Sequence, residues 1–85
     1  MAQARQALQE HDAARALSLL DDYAAKFPQG VLREEQLATR VLALCALGRD
    51  ATAKKVRWEL ERMAPHSPQL GRLRISCAAE GSARP

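Results

Sequence analysis

With 85 residues and a formal charge of +3, the chain is the size of one small domain, near the limit at which a single apolar core stabilises a fold unaided. Alanine, leucine and arginine dominate and the aromatics are three, Tyr23, Phe27 and Trp58, a composition that favours closely packed helices over a β-sandwich. The longest apolar run, Val41 to Leu47, falls far short of the roughly 20 residues of a membrane span, so no span is expected, and the N-terminus lacks the regions of a signal peptide.

In chain order, the pattern predicts an all-α fold. A short first helix covers about Ala2 to Gln9, with Ala4, Ala7 and Leu8 as its apolar residues. Asp12 offers a side-chain oxygen as N-cap for a second helix reaching about Lys26. Ala13, Ala16, Leu20, Tyr23 and Phe27 follow one face of that helix, and Pro28 and Gly30 end it.

A third helix is predicted from about Leu32 to Leu47, with Glu34 and Glu35 in the first turn, where the helix dipole favours carboxylates. Leu37, Ala38, Val41, Leu42, Leu44, Cys45 and Leu47 cover more than half its circumference. A helix so apolar is buried on two sides, which makes it the centre of the domain, with Gly48 as its C-cap. The fourth helix, about Asp50 to Met63, places Ala53, Val56, Leu60 and Met63 on one stripe before Pro65 and Pro68 close it. Ser67 and Pro68 then suit the start of a last helix whose inner face is Leu70, Leu73 and Cys77. Residues 1–80 are read as one domain and 81–85 as a disordered tail.

The second and fourth helices repeat one layout. An offset of 37 residues pairs His11 with Gly48, Ala14 with Ala51, Ala16 with Ala53 and Pro28 with Pro65, and keeps apolar character at Leu19 and Val56 and at Tyr23 and Leu60. An internal period of this size suggests stacked helical hairpins, each of which needs a neighbour to bury its apolar face.

Glycine at the hairpin turn, alanine five residues on and proline twelve beyond, as in Gly48, Ala53 and Pro65, resembles the second half of a tetratricopeptide repeat; His11, Ala16 and Pro28 carry the same spacing. "KFPQG" followed by "EE" and "ALGR" is similar to the tetratricopeptide-type domains of bacterial envelope proteins, of the outer-membrane assembly lipoprotein and cell-division coordinator kind. Leu37, Arg40 and Val41 stand where the family's first helix carries a bulky residue, a leucine and a small residue. The resemblance implies stacked hairpins, about two repeats plus a terminal capping helix, in an arc whose concave side binds a peptide or helix of another protein. Mapped on this chain, Glu35, Ala38, Thr39 and Leu42, with Arg72 nearby, become the candidate groove.

Cys45 and Cys77, 32 residues apart, admit two readings. One is a disulfide between neighbouring helices, worth on the order of 3 kcal/mol in a chain this small and requiring an oxidising compartment; the other is a pair of buried thiols acting as small apolar residues. Trp58 lies opposite the inner stripe of its helix, flanked by Lys54, Lys55 and Arg62. It is either an exposed anchor with a basic rim or a ring covered by the Lys and Arg stems or by the terminal helix.

Enzymatic roles find no support. Adjacent carboxylates at Asp21 and Asp22, and at Glu34 and Glu35, point about 100° apart on a helix and cannot converge on one bond. No phosphate-binding loop, nucleophile elbow or zinc-protease motif occurs, and His11 and His66 have no metal-site spacing with the cysteines. No cofactor and no metal is expected. The leading expectation is a non-catalytic protein-interaction domain, the soluble part of a larger bacterial envelope protein, with periplasm or envelope favoured over cytoplasm. Homo-oligomerisation through the outer sides of the terminal helices, with Trp58 and Ile75 as contacts, is the alternative. An acidic or nucleic-acid partner ranks third: residues 49–85 hold eight Lys or Arg against four Asp or Glu, but without interleaved aromatics the signal for nucleic acid is weak.

Overall fold

The computed structural model describes residues 2–27, 32–73 and 76–77. Five helices occur in this part of the chain: α1 (Ala2–Gln9), α2 (Ala13–Lys26), α3 (Arg33–Ala46), α4 (Asp50–Met63) and α5 (Gln69–Arg72). No strand is present among the described residues, and the all-α class holds. The breaker residues Pro28 and Gly30, the off-stripe residue Ile75 and the tail 81–85 lie outside the described residues.

α1 packs on α2 and α3 packs on α4, so the chain forms two helical hairpins, and α2 lies against α3 to join them. The 37-residue offset holds at every comparable boundary. α1 and α3 end at Gln9 and Ala46, α2 and α4 begin at Ala13 and Asp50, and they end at Lys26 and Met63.

The turns repeat as well. At the end of α1, the amide of His11 donates to Leu8 O and that of Asp12 to Ala7 O; at the end of α3, Gly48 donates to Cys45 O and Arg49 to Leu44 O. Each pair is a Schellman closure, in which the residue after the cap takes a left-handed conformation. That residue is His11 at φ +62° and Gly48 at φ +76°. The second helix of each hairpin also stops the same way. Phe27 and Ala64 adopt extended conformations, and their amides donate to Tyr23 O and Leu60 O. A proline follows each, and proline disfavours helical geometry in the residue before it.

The core has two parts. Leu37, Ala38, Val41, Leu44, Ala53, Leu60 and Leu73 form a buried cluster between α3, α4 and α5. Ala7, Ala13, Ala16 and Ala43 form a second, between α1, α2 and α3. Leu17 packs against both. Alanine lets helix axes approach closely, and Ala43 supplies on α3 the small side chain that Val41 does not. α3 is the central helix, touched by α1, α2, α4 and α5.

Several apolar positions depart from the predicted stripes. Phe27 is 55 % exposed and rests against Tyr23, ring centroids 5.2 Å apart; it is the residue after α2 and its backbone has left the helical path. Leu47, the cap that follows α3, is exposed as well. Met63, at the last position of α4, turns to the outside and is 43 % exposed.

The predicted last helix is shorter than its pattern. α5 has four residues and ends at Arg72, with Leu73 as its cap, so Cys77 follows it in a turn and not on its inner face. Ser67 does cap its start, with Ser67 Oγ accepting from the Gln69 amide at 3.2 Å. Asp12 likewise caps α2, Oδ1 accepting from the Arg15 amide at 3.2 Å.

Candidate functional site

The groove expected from the first helix of each hairpin is not formed. Ala38 is fully buried and Thr39 is 1 % exposed. Leu42 packs partly against the main cluster. Glu35 is turned into an ion pair with Arg5, 2.9 Å, which ties α3 to α1, and Arg72 donates to Gln69 Oε1 within α5. These five side chains share no accessible lining. The reason is the position of α3, whose contacts with α1, α2, α4 and α5 cover Ala38 and Thr39.

The surface anchor fares differently. Trp58 is 58 % exposed, and the terminal helix does not cover it. The Arg62 guanidinium carbon sits 4.8 Å from the centre of its ring, a cation–π contact of about 0.5–1 kcal/mol at an exposed site. Lys55, Trp58, Glu59, Arg62 and Met63 together line a shallow depression along α4. Their spacing places them on one helical face, so α4 carries a second stripe directed away from the core. Lys54, at its shoulder, is half-buried. Glu59 leans toward Arg33, 3.9 Å away, leaving Lys55 and Arg62 to set the charge around the indole. Sequence reasoning found Trp58 and its basic neighbours but placed Met63 inside.

The 37-residue offset shows what α4 presents beyond its own hairpin. In the first hairpin, Leu17 packs into the cluster of the second, Leu20 is buried, and Asp21 Oδ1 meets Arg40 Nη1 at 2.8 Å across the α2–α3 joint. The corresponding residues of α4 are Lys54, Arg57 and Trp58, and Ala24 is replaced by Glu61. Arg57 and Glu61 pair with each other at 3.1 Å, and Arg57 Nε is buried without a hydrogen-bond partner. Arg57 and Glu61 line a depression together with Pro65, His66, Ser67, Leu70 and Gly71, so this side of α4 faces α5 and the connection that precedes it.

Cys45 and Cys77 are joined, S–S 2.03 Å and Cα–Cα 5.6 Å, which decides between the two readings of the pair. The bond runs from the last turn of α3 to the turn after α5. No cluster of three or more His, Cys, Asp or Glu side chains suited to a metal ion occurs among the described residues. No described helix is long and apolar enough to cross a membrane.

No protein-family model matches the chain, and no match to it was found among curated proteins or solved structures.

Proposed function

We propose that this domain is a non-catalytic protein-interaction module built on tetratricopeptide-like hairpins, and that it belongs to a larger protein of the bacterial envelope. The observation that carries the reading is the pair of stacked hairpins whose helix ends, left-handed turns and extended pre-proline caps recur 37 residues apart. Such repeats act through their surfaces, and the surface best suited to a partner is the outer stripe of α4. It offers a large aromatic and a methionine flanked by Lys55 and Arg62, the residue types enriched where protein interfaces concentrate their energy.

Retention of partner proteins from a bacterial envelope extract tests this directly. Wild-type protein is expected to retain a specific set of proteins that Trp58→Ala and Arg62→Glu lose, while both variants keep wild-type helicity by circular dichroism. Equal recovery by all three would remove the α4 stripe from the binding surface.

Self-association is the second reading, favoured by the exposure of Trp58 and Met63 on one helix. The form it takes is a closed dimer across the α4 stripes, where Trp58 and Met63 would cover each other's exposed apolar surface. Sedimentation velocity over a hundredfold concentration range separates the two, since only self-association changes the sedimentation coefficient with concentration.

A further inference from the structure

α5 is four residues long, too short to persist by itself, because a single helical turn costs more conformational entropy than its hydrogen bonds return. Among the described residues, several contacts hold it to the body. Leu73 is fully buried in the cluster of Leu37, Val41 and Leu60, and Leu70 packs at its edge. Ser67 caps the first turn, and Ser76 Oγ donates to Leu73 O at 2.7 Å. Beyond these, the Cys45–Cys77 bond fastens the following turn to α3.

The contacts between the two hairpins do not run through this segment. α1 on α2, α2 on α3 and α3 on α4 are packed without it, and α5 meets α3 and α4 alone among contacts of any extent. Pro65 and Pro68 separate it from α4. Both cysteines are only partly buried, at the edge of the main cluster.

We propose that the Cys45–Cys77 bond is a redox latch, and that its reduction releases α5 from α3 and α4 while the two hairpins stay folded. The chemistry needs a dithiol reductant. One of its thiolates attacks a sulfur of the pair and forms a mixed disulfide as the other protein sulfur leaves and takes a proton; its second thiol then displaces the remaining protein thiol. The protein gains two thiols and the reductant becomes a disulfide, so two electrons and two protons are transferred. Release uncovers the apolar surface of α3 and α4 that Leu70 and Leu73 occupy.

Limited trypsin digestion of the full chain, oxidised in air or reduced with dithiothreitol, tests the latch, with cleavage sites mapped by mass spectrometry. Arg72 lies in α5, whereas Arg40 and Arg57 lie in α3 and α4. Reduction is expected to speed cleavage after Arg72 on the order of tenfold or more, as for a segment passing from docked to open, and to leave cleavage after Arg40 and Arg57 nearly unchanged. Cys77→Ser without reductant should reproduce the reduced pattern. Two results overturn the proposal. Equal cleavage after Arg72 in both forms means that Leu70 and Leu73 hold α5 unaided, and a parallel rise after Arg40 and Arg57 means that the bond supports the whole fold.

Discussion

His11 and Gly48 stand 37 residues apart at equivalent turns, and both hold the left-handed conformation, φ +62° and +76°. The first hairpin thus makes with histidine a turn that the second makes with glycine. A side chain at such a position costs on the order of 1 kcal/mol. His11 is exposed, and its amide is used in the turn, so nothing beyond the backbone opposes replacement.

His11→Gly should therefore stabilise the domain by about 0.5–1 kcal/mol, after the greater chain entropy of glycine in the unfolded state is set against the relieved strain. For a domain of this size that corresponds to a rise in Tm of roughly 2–8 °C. Gly48→Ala should act in the opposite sense by about 1 kcal/mol, although a Cβ there meets no atom within 4 Å. Thermal melts of the two variants check both signs.

Leu60 and Trp58 lie two residues apart on α4 with opposite fates, one fully buried and the other exposed. Leu60→Ala opens a cavity in the main cluster and should cost about 2–5 kcal/mol, enough to unfold much of a marginal domain. Trp58→Ala should change stability by less than about 1 kcal/mol, the loss being the Arg62 contact. Urea unfolding curves of the pair decide whether α4 has its inner and outer stripes assigned correctly.

Trp58 is the only tryptophan in the chain, so intrinsic emission reports on one site. Free protein should emit at the long wavelength of a water-exposed indole and be quenched readily by acrylamide. Occupation of the α4 stripe should shift emission to shorter wavelength and cut quenching severalfold. An indole already shielded in dilute protein, becoming exposed only on further dilution, would instead identify a dimer across that stripe.

Asp21 and Arg40 cross the joint between the hairpins at 2.8 Å, with Asp21 well exposed and Arg40 mostly covered. A double-mutant cycle through Asp21→Ala and Arg40→Ala should give a coupling of about 0.2–1 kcal/mol, reduced in high salt by screening. A coupling of zero would leave the joint to Leu17, Leu20 and the alanine cluster alone.

Much of this architecture was legible in the chain because it is written locally. Asp12 as a cap, Gly48 after a helix, a proline after each hairpin and the alternating apolar stripes act through neighbouring residues, and they placed α1 to α4 within a residue or so of where they lie. The 37-residue repeat was visible for the same reason. The length of α5 was not, because its apolar spacing continues to Cys77 while the backbone leaves the helix after Arg72. Cys45 and Cys77 could be named as partners from their separation, yet only the packing of α5 on α3 brings their Cα atoms to 5.6 Å. The groove shows the same division. Glu35, Ala38, Thr39 and Leu42 were assigned by analogy to an open concave side, and the tertiary fold instead buries Ala38 and Thr39 beneath the helices packed on α3. Periodicity determines which side of a helix is apolar. Which apolar side is covered, and by what, depends on how many helices are there to cover it, and that is a property of the assembled chain.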